Sequence, residues 1–172
     1  MCKKGIRMIE RHNSQRGWFA YELLEQAKKD SSIMLVTADL GYGMWDRFKN
    51  ELPDQYINVG AAEQTAIGVA VGLAIEGRKP FIYSITPFLL RRPYEAIRLY
   101  LSEDCYPVRL VGGGRDKDYA HDGPSHDASD AKDLLKTLPH IQQLWPLDKE
   151  DIPGMVDYMV KVDNPWFISL KR

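Results

Sequence analysis

Asn58-Val59-Gly60-Ala61-Ala62-Glu63-Gln64, running on through apolar residues to Ile75, decides the reading of this chain. From Ala61 to Ile75 the side chains are Ala, Ile, Val, Leu, Gly and Thr, apart from Glu63 and Gln64. A helix with no polar face lies inside a core or against another subunit. Its small residues (Ala66, Gly68, Ala70, Gly72, Ala74) allow close backbone approach on several faces. Glu63 is the one carboxylate, and it falls in the first turn. Burying it charged and alone would cost several kcal/mol, so it must be paired, protonated or bound. The plainer alternative is that Glu63 only complements the positive end of the helix.

Outward from this helix, short apolar runs alternate with helical periods. Trp18, Phe19, Tyr21, Leu23, Leu24 and Ala27 set a helical period over about 16–29, closed by Lys28 and Lys29. Buried strands are expected at 33–37, 56–59, 80–84, 107–111, 142–146 and 165–170. Further helices are expected over about 43–51, 91–102, 130–138 and 149–161, and Gly77 is a plausible C-cap for the buried helix. The alternation implies an α/β sandwich with a mostly parallel sheet. The Gly112-Gly113-Gly114 triplet opens a long polar loop holding His121, Asp122, His126 and Asp127. Loops of that length are functional or disordered.

A chain of 172 residues suggests one domain. Residues 1–15 are read as a polar lead-in, 16–172 as the domain, and nothing is left over for a second one. The net charge of −1 offers no basic excess for phosphates, which argues against nucleic acid as a partner. Cys2 and Cys105 are too few and too far apart for a disulfide framework, which fits a cytoplasmic location. The charged N-terminus lacks a signal core, and no apolar run reaches membrane-spanning length, so no membrane partner is expected.

In an open parallel sheet, ligands collect at the carboxyl ends of strands. Asp39, Glu63, Phe88 and the histidine loop all leave such ends, a reasonable enzyme site. Competing chemistries are weaker. The glycine triplet is not a dinucleotide fingerprint, no phosphate-cradling GxxxxGK[ST] occurs, and no serine sits on a GxSxG elbow. His121, Asp122, His126 and Asp127 match no standard zinc spacing, so no metal ligand is assigned. Cys105 reads as a small apolar residue rather than a nucleophile.

Five pieces, in order, resemble the pyrimidine-binding domain of the transketolase family of thiamine-diphosphate enzymes. They are Thr37-Ala38-Asp39-Leu40, the Asn58–Gln64 stretch, Gly72–Phe81, Phe88 with Tyr94–Arg98, and His121-Asp122-Gly123-Pro124-Ser125-His126-Asp127. The similarity covers about residues 16–172. It implies a three-layer α/β/α sandwich, the thiamine-diphosphate-binding fold. Glu63 would hydrogen-bond the aminopyrimidine ring nitrogen and favour the imino tautomer, which takes the proton from the thiazolium carbon. An apolar setting would raise its pKa and suit that exchange. Phe88 would stack on the ring, with Tyr83 as the lesser alternative, and Asp39 would lie near the cofactor. Asp122, His126 and, less directly, His121 would face the substrate, with His126 also catalytic.

The same resemblance brings departures. Asp127 stands where the family has Gln, and Arg91, Arg92 and Pro93 where it often has smaller residues. The G-D-G…N motif that holds magnesium and the diphosphate is absent from this chain. The implied function is therefore one subunit of a split, ketol-transferring enzyme. It would be active only with a diphosphate-binding partner that holds Mg2+, in a hetero-oligomer such as α2β2, on sugar phosphates or 2-oxoacids. A split 2-oxoacid decarboxylase and a non-catalytic regulatory or scaffold module are the alternatives. Alone, the chain is expected to self-associate through its apolar helix.

Overall fold

The apolar runs become a continuous sheet in the computed structural model, which describes residues 12–172. Its strands are β1 (Ile33–Thr37), β2 (Tyr56–Asn58), β3 (Lys79–Ile85), β4 (Arg109–Gly113), β5 (Gln142–Leu144) and β6 (Trp166–Leu170). They lie in the order β2-β1-β3-β4-β6-β5, and every pair is parallel. β1, β4 and β6 are buried along their whole length, as strands covered on both faces must be. Most of the expected lead-in lies outside the described residues, as does Cys2.

The helices are α1 (Gln15–Ala27), α2 (Asp46–Glu51), α3 (Glu63–Ile75), α4 (Thr86–Arg91), α5 (Tyr94–Ala96, continuing as a π-helix over Ile97–Glu103), α6 (Ala131–Lys136) and α7 (Ile152–Lys161). Ser14 caps α1, its side chain accepting from the Gly17 amide at 3.1 Å. Alternation along the strands sends neighbouring side chains to opposite faces. Leu35, Phe81, Val111 and Ile168 join Phe19, Leu23, Phe48 and Met159 from α1, α2 and α7 in one core. Val36, Ile82, Leu110 and Phe167 join Ala66, Ile67, Leu90, Leu101 and Leu135 from α3 to α6 in the other. The result is the expected three-layer sandwich.

Several boundaries differ from the expectation. The single helix over 91–102 is instead α4 and α5, because Pro93 has no N–H to continue the ladder. β4 runs on through Gly112 and Gly113. A Cβ there would sit 2.5 Å from Thr86 Oγ1 and from the Tyr83 hydroxyl respectively, so glycine lets the strand pass. β2 stops at Asn58, and Gly60 turns the chain with φ +76°. The helix expected over 43–51 begins at Asp46, and the one over 149–161 opens as a 3-10 turn, Lys149–Asp151. The strand over 142–146 is shorter, ending at Leu144. The long loop is ordered by 3-10 turns Ala120–Asp122 and Pro124–His126 and by an antiparallel bridge between Asp116 and Ala128.

Asp30, just before β1, ties the sheet's amino edge together. It accepts from Lys79 Nζ at 2.8 Å and from the Ser32 amide at 2.9 Å. The Lys79 hydrogen bond, with those from Ser32, holds its carboxyl down at about 2. A depressed carboxyl stabilises the fold above its ordinary value and loses that contribution as pH falls through the folded value. Both partners are about a third exposed, so screening leaves about 1 kcal/mol. Urea melts from pH 5 down to about 2 should show this loss in the wild type and a flatter profile in Asp30→Asn.

Candidate functional site

The sheet order fixes where the site forms. From β1 the chain turns to one side, to β2; from β3 it proceeds to the other, to β4. Such a reversal opens a crevice at the carboxyl ends of the two strands. To reach β3 from β2, α3 crosses β1, and its first residue is Glu63.

Glu63 is 2% exposed, and it is paired. Arg92 Nη1 donates to both carboxylate oxygens, at 3.0 and 2.9 Å, and Ser84 Oγ at the end of β3 donates to Oε1 at 3.2 Å. This corrects the expected apolar surroundings. Of the three solutions open to a buried carboxylate, this chain uses an ion pair, because Arg92 reaches it from the end of α4. Arg92 itself is 49% exposed.

Phe88 sits four residues before Arg92, on the same face of α4. The Arg92 guanidinium lies over its ring, 3.8 Å from the centroid. His126 meets the Phe88 ring edge-on, with centroids 4.8 Å apart. Its Nδ1 shares a hydrogen bond with Ser125 Oγ at 3.0 Å. Arg91 fastens this loop to α4 through the Asp127 carbonyl at 3.1 Å and the Asp130 carboxylate at 2.6 Å. Tyr83, the lesser alternative, belongs to the core beneath α1, α2 and α7. It is 2% exposed, its ring set against Trp45 at 5.3 Å, and burial pushes its hydroxyl pKa up.

The other expected residues occupy neighbouring positions. Asp39 follows β1 with φ 57° and is exposed. Its carboxylate accepts from Tyr42 at 2.8 Å and Asn58 Nδ2 at 3.1 Å, and these bonds lower its pKa. His121 and Asp122 are exposed and pair with each other at 3.2 Å. The structure thus joins Glu63, Phe88 and His126 into one chain of contacts through Arg92. Asp39 and the His121–Asp122 pair have networks of their own. Asp127, in the place of the expected Gln, is turned inward on its own loop, accepting from the Ser129 amide at 2.8 Å.

Sequence reasoning misses three members of this group. It marks Arg92 only as a bulky departure, although the spacing of four from Phe88 is visible. Ser84 lies in a strand whose neighbour is set by topology. Tyr119 stands with its ring centroid 6.3 Å from that of His126 and accepts from Arg16 Nη1 at 2.7 Å. Among the described residues, no three His, Cys, Asp or Glu side chains gather where they would hold a metal ion. No described helix is long and apolar enough to cross a membrane.

Comparison with known proteins adds a family. The family model described as "Transketolase, pyrimidine binding domain" matches residues 14–172. The 6-deoxy-6-sulfo-D-fructose transketolase subunit SqwH of Clostridium sp. (strain MSTE9) is 31% identical over 151 residues, covering 87% of this chain and 47% of the relative. An apulose-4-phosphate transketolase subunit of Phocaeicola vulgatus is 30% identical over 155 residues, covering 90% and 50%. A solved structure of a split-gene transketolase, described as an inactive beta4 tetramer, superposes with a TM-score of 0.82 at 26% identity, covering 93% of this chain and 52% of that one. The chain therefore spans about half the length of these relatives.

Proposed function

The chain belongs to the transketolase pyrimidine-binding domain family, and from that premise we propose that it supplies the pyrimidine half of a split, ketol-transferring thiamine-diphosphate enzyme. The observation that carries this reading is Glu63, buried at the start of α3 beside the one-sided aromatic platform of Phe88. The donor set fits the ring. Glu63 is a buried hydrogen-bonding carboxylate, and the face of Phe88 already carries a flat N–C–N group, the Arg92 guanidinium.

When bound, thiamine diphosphate supplies the nucleophilic carbon and the electron sink. In this reading Glu63 holds and exchanges a proton at the ring nitrogen, with Ser84 fixing its Oε1. Phe88 stacks on the ring and sets its plane. His126, steadied by Phe88 and Ser125, handles a proton at a substrate oxygen, and Asp122 and His121 bind substrate hydroxyls. Asp39 borders the cofactor.

The partner supplies the Mg2+ and diphosphate site, in a hetero-oligomer such as α2β2. A surface suited to it is at hand. Gly68, Gly72 and Ile75 form an exposed stripe on α3, Ile75 being 61% exposed. Beside it stand Leu99 and Tyr100, 47% and 41% exposed, around a hollow of about 300 Å³. An open apolar face of this kind marks an interface.

Mixing the chain with a polypeptide that carries the G-D-G…N motif, thiamine diphosphate and Mg2+ should yield two-carbon transfer from a ketose phosphate to an aldose. A mixture that binds cofactor but only releases carbon dioxide from 2-oxoacids would favour the decarboxylase. A stable complex with neither cofactor binding nor carbon–carbon chemistry would leave a scaffold.

A further inference from the structure

Arg92 does three things with one side chain. Its Nη1 takes both oxygens of Glu63, its guanidinium covers the Phe88 ring at 3.8 Å, and half of it faces solvent. A guanidinium is flat, carries N–H donors in its plane and stacks on aromatic faces. Those are the properties by which an aminopyrimidine would bind the same carboxylate and the same ring. A flat ring cannot lie on that face of Phe88 and reach Glu63 while the guanidinium is there.

We infer that Arg92 is a built-in occupant of the pyrimidine site, and that ring binding requires its displacement into solvent. The inference rests on the proposed function for the identity of the incoming ring, but its geometry is this chain's own. The exchange is local. Arg92 lies at the solvent end of α4, so rotation of its side chain clears Phe88 without moving the backbone. Ser84 Oγ stays on Glu63 Oε1 throughout, so the carboxylate keeps one donor as Arg92 leaves. A ring that carries a proton on that nitrogen donates to Glu63 and restores what was lost, whereas a ligand without such a donor leaves the buried charge with Ser84 alone. The plug thus selects for the ring chemistry it imitates.

The test uses the full chain, with thiamine as the probe and arginine labelled for NMR. In the free chain, the Arg92 side-chain signals should be displaced upfield by the Phe88 ring, and thiamine should return them to their ordinary positions. A site held closed nine-tenths of the time, roughly, weakens apparent affinity about tenfold, so Arg92→Gln should bind thiamine about tenfold tighter than wild type by calorimetry. Arg92→Lys keeps a charge for Glu63 but neither stacks flat nor offers paired donors, so it should fall between the two. It also serves if Arg92→Gln fails to fold. Glu63→Gln should remove binding in each background. Equal affinity in wild type and both variants, with the Arg92 signals unmoved by bound thiamine, overturns the plug and leaves the proposed function standing. Thiamine binding to none of them, alone or with the diphosphate-binding partner added, overturns both.

Discussion

Glu63→Gln should lower the turnover of the assembled enzyme by about 10²–10⁴-fold, the contribution typical of a positioned proton-exchanging group. The amide keeps the shape, and its oxygen still accepts from Ser84 and Arg92, but it cannot carry the exchangeable proton. The fold should survive. The substitution removes the charge that is 2% exposed and leaves the charge that is 49% exposed, which solvent can take up. The reverse deletion is harsher, because losing Arg92 strands the buried carboxylate. Melting curves and near-UV circular dichroism of Glu63→Gln should therefore stay close to wild type, within about 1 kcal/mol. Turnover near the wild-type value in that variant would strip Glu63 of its role, whatever its burial.

The sheet was legible because each strand is a short, nearly unbroken apolar run, and a parallel sheet buried on both faces demands that pattern. The buried helix was legible for a related reason, its lack of charge after Glu63. The structure adds a qualification. α3 covers its inner face with Ala66, Ile67, Ala70 and Val71, while Gly68, Gly72 and Ile75 are open to solvent. Composition told that the helix needed covering on all sides, and this chain covers only one.

The site was half legible. Glu63, Phe88 and His126 came from motif order, and they do meet along one line of contacts. Their electrostatics could not be read. The expected apolar carboxyl rested on sequence neighbours, but the group that decides its state comes from another element 29 positions away. Periodicity reports which face is buried, not which long polar side chain folds back over it. Ser84 was hidden for the same reason, since only strand order places it under α3.

A second arginine gives the largest stability effect. Arg109, in the first register of β4, is fully buried, which a strand of this kind rarely allows. Its guanidinium is satisfied from three sides. Nε donates to the Met159 carbonyl at 3.1 Å, Nη1 to the Pro107 carbonyl at 2.6 Å, and Nη2 to Asp163 at 2.7 Å. Met159 lies in the last turn of α7, where carbonyls have no partner within the helix, so Arg109 closes that helix end with a cation where its dipole is negative. Burial lowers the Arg109 pKa, and the bond to Asp163 opposes this. Arg109→Ala opens a cavity between β4 and α7 and orphans two carbonyls. It should cost about 3–5 kcal/mol, lowering Tm by about 10 °C for a chain of this size. Arg109→Met fills the space but leaves the carbonyls unpaired, so it should cost about 1–3 kcal/mol. Asp163→Asn touches a partner that is 66% exposed and should cost less than about 1 kcal/mol. Thermal melts of the three variants should keep that order. Were Asp163→Asn as damaging as Arg109→Ala, the ion pair rather than the closure of α7 would be the source of the stability.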